Sequence, residues 1–138
     1  MTAVIFDGKT LAADRRVMAG NAIVSDDCLK IEKWEKGYFA IAGIHGTSDM
    51  VRKWLERKGE ITCKKGDIEV LYTNGNHVYY FKAGSYPYEA FVPYGIGSGG
   101  TDCEALCRIG YTGKDAIKQV MKYIPSVGGK IDVVRIGK

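Results

Sequence analysis

The sequence lacks a long apolar segment and contains few of the residues that most often bind metals or rigidify loops. Its 138 residues include three prolines, two histidines and four cysteines. No apolar run approaches the roughly 20 residues needed to span a membrane. The N-terminus also lacks the charged and apolar regions of a secretory signal peptide. We therefore expect neither a membrane partner nor secretion, and a cytoplasmic location.

The few cysteines and histidines are not spaced as zinc ligands. No Cys-x-x-Cys pair occurs, and only His45 and His77 could add imidazole ligands. Cys103 and Cys107 are four positions apart, so they would share one helix face. We interpret the cysteines as reduced side chains that pack as small hydrophobes, and we expect no metal or other cofactor.

Charge of one sign is not concentrated anywhere. Lys and Arg total 20 against 16 Asp and Glu, a net charge of +4, and the basic residues are scattered apart from the pairs Arg15–Arg16 and Lys64–Lys65. Binding to nucleic acid relies on a basic cluster with aromatic stacking positions. We therefore favour an ordinary solvated surface over a nucleic-acid partner.

What is present is the composition of a folded α+β domain. Hydrophobic residues make up 46% of the chain, and 18 glycines indicate many tight turns. Strands come first, followed by a helix, more strands, two helices and a final strand. Hairpin-linked strands with segregated helices predict antiparallel sheets. We expect one domain over residues 1–138.

The first sixteen residues contain a strong hairpin pattern with a reactive residue at its start. Two apolar runs flank Asp7–Gly8, which is typical of a β-hairpin. Removal of Met1 would make Thr2 the N-terminal residue. A terminal Thr carries a hydroxyl nucleophile and an α-amine whose pKa is about 7.7 to 8.0, so the amine can act as the base.

Other residues could supply the parts that such a nucleophile needs. Lys30, flanked by Leu29 and Ile31 in a predicted alternating strand, could place a positive charge near the amine. Asp14, at the end of the second strand, could be its counter-ion. The loop Gly43-Ile-His-Gly46 follows a buried strand and could offer N–H groups to an oxyanion. The competing interpretations are a surface ion pair for Asp14 and a solvated Lys30.

A glycine-rich stretch precedes the first of the two late helices. Gly95-Ile-Gly-Ser-Gly-Gly100 fits the G-x-G-x-x-G pattern of dinucleotide-binding loops, but no strand with a well-placed acid follows it. A turn that presents the Ser98 hydroxyl at the helix start is the preferred interpretation, with a plain loop hydroxyl as the alternative. Thr101 and Glu104 predict a capping box for this helix, and Thr112 with Asp115 predicts the cap of the next.

Taken together and in order, these segments resemble the proteasome-type N-terminal-nucleophile hydrolases, closest to bacterial proteasome-like peptidase subunits. The resemblance runs nearly from end to end. The segments that carry it are Thr2–Ile5, Leu11–Arg15, Lys30–Ile31, Ala40–Asp49, Tyr94–Gly100 and Ser126–Gly129. Three features depart from the family: a short linker after the first helix, Tyr123 where relatives often have an acid, and His45 where they tend to have a small residue.

The resemblance implies a shortened four-layer αββα sandwich with the nucleophile in a cleft between two sheets. The residues it implies are Thr2, Asp14, Lys30 and Ser98 for catalysis, Gly43, His45 and Gly46 for the backbone oxyanion site, and Ser126, Gly128 and Gly129 as further support. It also implies a threonine peptidase subunit in a homo-oligomeric ring, with peptide or unfolded protein as substrate and an ATP-dependent unfoldase as partner. A catalytically silent assembly protein of the same fold, and hydrolysis of a small-molecule amide, are the alternatives.

Overall fold

The computed structural model describes residues 2–43, 48–57, 68–82 and 87–136. Over these ranges the chain forms eleven strands and three helices. In chain order they are β1 (Val4–Phe6), β2 (Thr10–Asp14), β3 (Val17–Ala19), β4 (Ala22–Ser25), β5 (Ile31–Trp34), β6 (Gly37–Ala42), α1 (Ser48–Arg57), β7 (Glu69–Thr73), β8 (Val78–Lys82), β9 (Tyr88–Ala90), β10 (Tyr94–Ile96), α2 (Gly100–Arg108), α3 (Gly113–Val120) and β11 (Ile131–Arg135).

The strands form two larger antiparallel sheets and one small hairpin. The first sheet has the order β10-β1-β2-β11, the second has the order β5-β6-β7-β8-β9, and β3 pairs only with β4 within the described part of the chain. All pairings are antiparallel, as the sequence predicts. Gly20, with φ of +59°, turns the chain between β3 and β4.

Asp7 closes the β1–β2 hairpin that the Asp7–Gly8 pattern predicts. Its Oδ1 accepts the backbone N–H groups of Lys9 at 2.9 Å and Thr10 at 2.7 Å. Gly8, with φ of +104°, takes a left-handed conformation that favours glycine. The hairpin lies at the centre of the first sheet, so both of its strands are covered on each side by neighbours.

Three apolar clusters separate four layers. The cluster between the two sheets includes Phe6, Leu11 and Leu71. On the outer face of the first sheet, Ile5 and Ala12 pack against Ile117 and its neighbours on α2 and α3. On the outer face of the second sheet, α1 packs over a third cluster that contains Val51, Leu55, Phe39, Ile68, Val70 and Phe81. The predicted αββα sandwich is therefore confirmed.

The two late helices begin differently. Thr112 caps α3 as predicted, because its hydroxyl accepts the Asp115 N–H at 3.2 Å. The capping box predicted for α2 is wrong: the helix begins after Gly99, and no side chain caps it within the region the structure covers. Glu104 instead accepts the N–H of Gly95 at 2.8 Å, since that N–H lies on the outer edge of β10 and needs an acceptor.

Several sequence predictions concern segments with no described placement. Cys63 and the linker over residues 58–67 lie outside the described residues. The other three cysteines are free thiols, and Cys103 is buried in the cluster beneath α2. None of the described helices is both long and apolar enough to cross a membrane.

Candidate active site

The first hairpin brings Thr2 and Asp14 together at the end opposite its turn. The pairing of Val4 with Ala13 places Ala3 beside Asp14, whose Oδ1 accepts the Ala3 N–H at 3.0 Å. The Thr2 hydroxyl donates a hydrogen bond to the same oxygen. Thr2 is 2% exposed and Asp14 is fully buried. The carboxylate of Asp14 therefore contacts the atom that a Thr nucleophile would use.

Lys30 joins this pair from the second sheet's side of the molecule. Its Nζ donates to Thr2 Oγ1, to Asp14 Oδ1 at 2.8 Å and to the backbone oxygen of Arg16 at 2.7 Å. Only 8% of the Lys30 side chain is exposed. One hydroxyl, one carboxylate and one ammonium thus meet at a single buried point.

Lys30 is not inside a strand, contrary to the sequence prediction. It lies one residue before β5, although its carbonyl still accepts the Ile41 N–H at 3.3 Å. The physical reason is that the Cys28 N–H binds the Arg15 carbonyl at 3.0 Å. The chain therefore follows the end of β2 before it enters the second sheet, and this path carries Lys30 to Thr2.

Burial changes the acid–base character of Lys30. Removal from water lowers the pKa of its ammonium below the ordinary value of 10.5, and this effect outweighs the attraction of Asp14, which acts in the opposite direction. A buried ammonium with a lowered pKa gives up its proton more readily than a surface lysine. Lys30 can therefore take part in proton movement at Thr2 as well as supply charge.

The late turn at residues 125–129 reaches the same carboxylate from a third direction. The N–H of Gly128 donates to Asp14 Oδ2 at 3.0 Å, and the carbonyl of Gly128 accepts the Arg15 N–H at 3.2 Å. Gly129 has φ of +75°. Both oxygens of Asp14 are thus hydrogen-bonded, which fixes the orientation of the carboxylate towards Thr2 and Lys30.

The glycine-rich loop packs directly on the backbone of Thr2. The Thr2 carbonyl accepts the Gly99 N–H at 3.1 Å and the Ser98 hydroxyl at 3.4 Å. Ser98 Oγ also lies 2.9 Å from Ser126 Oγ. A Cβ on Gly97 would lie 2.1 Å from the Thr2 carbonyl oxygen, so the loop can approach only with glycine there. This contact accounts for the glycine at position 97 without a nucleotide.

The proposed oxyanion loop is described only at its first residue. Gly43 follows β6, is exposed and has φ of +116°. His45 and Gly46 lie outside the described residues. The backbone oxyanion site therefore stays a prediction.

Arg15 and Arg16 are connected to the site in a way that the sequence analysis missed. Arg15 binds Asp132 and Asp27, and Arg16 binds Asp26, so these side chains bridge the segments next to Asp14, Lys30 and the late turn. The ion pair of Asp14 is with Lys30, so the surface-pair interpretation of Asp14 is wrong. A signal was present: the pair Arg15–Arg16 is matched by the acidic pair Asp26–Asp27.

Comparison of the whole chain with solved structures finds proteins of the same fold. HslV from Trypanosoma brucei is similar with a TM-score of 0.75 and 14% identity, covering 96% of this chain and 97% of that chain. BPH from Thiobacillus denitrificans in complex with epoxomicin gives 0.71 and 15% over the whole of both chains. A second BPH structure gives 0.67 and 13%, covering 99% of this chain and 98% of that one.

These similarities show which fold the chain has. The chain has the proteasome-type N-terminal-nucleophile hydrolase fold, which confirms the resemblance seen in the sequence at the level of structure. No protein-family model and no curated protein matches the sequence. At these low identities the similarity shows the fold, and the activity has to be argued from the site itself.

Proposed function

We propose that the protein is a threonine-type peptidase subunit that cleaves peptide bonds with Thr2 once Met1 has been removed. The observation that carries the proposal is the meeting of Lys30 Nζ and Asp14 Oδ1 at the Thr2 hydroxyl. A buried ammonium held by a carboxylate, within hydrogen-bond reach of the Thr2 hydroxyl, provides the surroundings in which the free amine of a terminal Thr can act as the base.

The reaction has two halves. The free amine of Thr2 takes the proton of Thr2 Oγ1, directly or through water, while Oγ1 attacks the peptide carbonyl. The C–N bond then breaks, the proton passes to the leaving amine, and an ester remains on Thr2. Water attacks this ester, the acid product leaves, and Oγ1 regains its proton. Charged Lys30 favours the neutral amine, and Asp14 holds Lys30.

Three further features complete the proposed reaction. The developing negative charge on the substrate carbonyl is bound by backbone N–H groups of the Gly43–Gly46 loop. Ser98, which contacts the Thr2 carbonyl and Ser126, holds the Thr2 backbone in place. Gly128 fixes the orientation of Asp14 by its N–H bond at 3.0 Å.

The substrate and assembly follow from the same fold. We propose that peptides or unfolded protein segments are cleaved inside a homo-oligomeric ring, with an ATP-dependent unfoldase as the partner that delivers them. The fold shared with HslV supports ring assembly. Exposed Ile23, Val24 and Leu29, on and beside the β3–β4 hairpin, are suited to subunit contacts. Light scattering of the purified protein should give a mass of several subunits.

One observation favours the catalytically silent alternative for the uncut chain. Thr2 is only 2% exposed, which leaves a substrate little access to its hydroxyl. With Met1 attached, Thr2 has no free amine, and a peptide bond blocks the base of the proposed reaction. In that form an assembly or interaction role fits the fold better than hydrolysis.

The test combines two substitutions with one substrate set. Wild type, Thr2→Ala and Thr2→Ser are purified without an N-terminal tag and assayed on a mixture of fluorogenic peptides. We expect hydrolysis by wild type, none above background for Thr2→Ala, and measurable hydrolysis for Thr2→Ser, which keeps a hydroxyl. Epoxomicin, the compound bound in the BPH structure, provides a binding probe that should need Thr2. Equal activity of Thr2→Ala and wild type would reject Thr2 as the nucleophile.

A further inference from the structure

Arg16 connects three chain segments directly behind the Thr2 site. Its Nε and Nη2 donate to the two carboxylate oxygens of Asp26 at 2.8 and 3.1 Å. Its Nη1 donates to the carbonyl of Pro125 at 2.9 Å. Its own backbone oxygen accepts a hydrogen bond from Lys30 Nζ at 2.7 Å. Arg16 follows the end of β2, and its side chain thus links this point of the chain to the segment before Lys30 and to the late turn.

The late turn is shaped to fit against this ion pair. A Cβ on Gly128 would lie 2.4 Å from the Arg16 guanidinium carbon, and one on Gly129 would lie 2.6 Å from the Asp26 carbonyl oxygen. Real Cβ atoms do not approach so closely, so a side chain at position 128 would displace the Arg16 guanidinium from its present place. At position 129 the obstacle is backbone and φ is +75°, so the turn requires glycine there. The two glycines therefore mark a contact surface for the ion pair.

The same turn carries two groups that reach the active site. Ser126 Oγ lies 2.9 Å from Ser98 Oγ, and the Gly128 N–H donates to Asp14 Oδ2 at 3.0 Å. Any displacement of the turn would therefore release one oxygen of Asp14 and the partner of Ser98. A shift of reacting groups by about 1 Å can cost up to about a hundredfold in rate.

We propose that Arg16 and Asp26 form a positioning pair that holds the late turn in place. Through the turn, the pair keeps Asp14 and Ser98 in position relative to Thr2. This inference rests on the proposed peptidase function. Neither side chain touches the Thr2 hydroxyl, so the pair acts through the turn. The planar set of guanidinium N–H groups, here called the fork, matters more than the charge. Arg16 uses three of these N–H groups on two acceptor groups, the Asp26 carboxylate and the Pro125 carbonyl.

The neighbouring ion pair offers a matched control. Asp27 follows Asp26 directly and pairs with Arg15 at 2.5 Å, while Arg15 keeps a second partner in Asp132 at 2.7 Å. Asp26→Ala and Asp27→Ala thus remove the same group from adjacent, partly exposed positions. Asp26 touches the arginine whose side chain binds the late turn, whereas Arg15 reaches Gly128 through its backbone N–H and not through the guanidinium that Asp27 contacts.

The experiment measures kcat and KM of the two variants and, by NMR, the exchange rate of the Gly128 amide hydrogen. We expect Asp26→Ala to lower kcat about tenfold or more, with KM within about twofold, and to speed Gly128 exchange at least about tenfold. Asp27→Ala should leave all three within about twofold of wild type. Arg16→Lys, which keeps the charge but loses the fork, should behave like Asp26→Ala.

The outcomes separate this inference from the peptidase proposal. If wild type hydrolyses no peptide, the peptidase proposal fails, and Gly128 exchange still decides whether the pair holds the turn. If wild type is active and the two alanine variants have equal kcat and equal Gly128 exchange, the positioning role is overturned. Full activity of Arg16→Lys would overturn the claim that the fork is needed.

Discussion

Asp7 and Asp14 lie at opposite ends of the same hairpin, and each accepts four hydrogen bonds. Asp7 binds the N–H groups of Lys9, Thr10 and Gly113 and the hydroxyl of Thr10. Asp14 binds the N–H groups of Ala3 and Gly128 and two side chains, the Thr2 hydroxyl and the Lys30 ammonium. The number of bonds is equal, but the partners differ in kind.

This difference separates a structural carboxylate from one suited to chemistry. Asp7 binds a local turn and the N-terminus of α3 through three backbone N–H groups and the Thr10 hydroxyl. Asp14 is fully buried and contacts a hydroxyl and an ammonium at one oxygen. Hydrogen bonding alone therefore does not distinguish the candidate active site from the other end of the hairpin, whereas a hydroxyl and an ammonium held together away from water do.

The largest expected effect is at the Asp14 end. Asp14→Asn removes the charge that holds Lys30 while keeping the side chain's shape, so we expect kcat to fall by about a hundredfold or more. The measurement is peptide hydrolysis per folded molecule, with circular dichroism as the check on folding. Asp7→Asn serves as the matched control on the same hairpin. An equal loss of kcat in Asp14→Asn and Asp7→Asn would contradict the distinction between the two ends of the hairpin.

At the Asp7 end we expect a loss of stability instead of activity. Asp7→Ala leaves N–H groups of the turn and of α3 without their acceptor, which should lower the free energy of unfolding by about 1–3 kcal/mol. Urea unfolding measures this change, and turnover per folded molecule should stay within about twofold. A variant as stable as wild type would contradict the structural role.

The pH dependence of this loss has a definite sign. Burial acts to raise the pKa of Asp7, but the N–H bonds from Thr10, Gly113 and Lys9 outweigh it and hold the pKa below 3.8. The unfolded state then binds more protons near that pH, so the stabilisation is complete above pH 3.8 and declines as the pH falls through the lowered pKa. The difference in the free energy of unfolding between wild type and Asp7→Ala should therefore shrink as the pH falls through this range.

A smaller effect is expected where the Asp7 end meets α3. Thr112→Ala removes the hydroxyl that accepts the Asp115 N–H, which should lower the free energy of unfolding by about 1 kcal/mol. Thr101→Ala provides the comparison, because α2 begins after Gly99 and Thr101 does not cap it. We expect little change from Thr101→Ala. Equal losses in thermal or urea unfolding would show that Thr101 stabilises α2 after all.

The smallest effect is a shift in the pKa of Lys30, at the Asp14 end of the hairpin. Because burial lowers the pKa of Lys30, its carbon signals in NMR should titrate below pH 10.5. The unfolded state then binds more protons in that window, so the contribution of Lys30 makes stability rise with pH up to about 10.5. Asp14→Asn should lower the Lys30 pKa further, since the opposing attraction is gone. Titration at the ordinary value in wild type would contradict the buried ammonium.

The sequence predicts local structure at the Asp7 end better than contacts at the Asp14 end. The Asp7–Gly8 turn and the Thr112 cap involve residues two or three positions apart, so propensity and spacing reveal them. Thr2, Asp14 and Lys30 were proposed from chemistry and from family resemblance, and only the folded chain shows that they touch. The capping box at Thr101 failed because Glu104 serves the edge of β10 instead.

Long-range hydrogen bonds are the least predictable part of the site. Arg16 reaches Pro125, which is 109 positions away, and Gly128 reaches Asp14 across 114 positions. No local pattern encodes such contacts, because they depend on how the two sheets and the late turn pack. The pairs Arg15–Arg16 and Asp26–Asp27 were visible as charges, but their partners follow from the fold.

The most direct test of the account is the intact mass of the protein purified without an N-terminal tag. The small side chain of Thr2 should allow an aminopeptidase to remove Met1, so we predict a mass lower by one methionine. The free amine that the proposed reaction requires is then present at Thr2. Retention of Met1 would contradict the peptidase account for that form and would make the silent assembly role the better explanation of the fold.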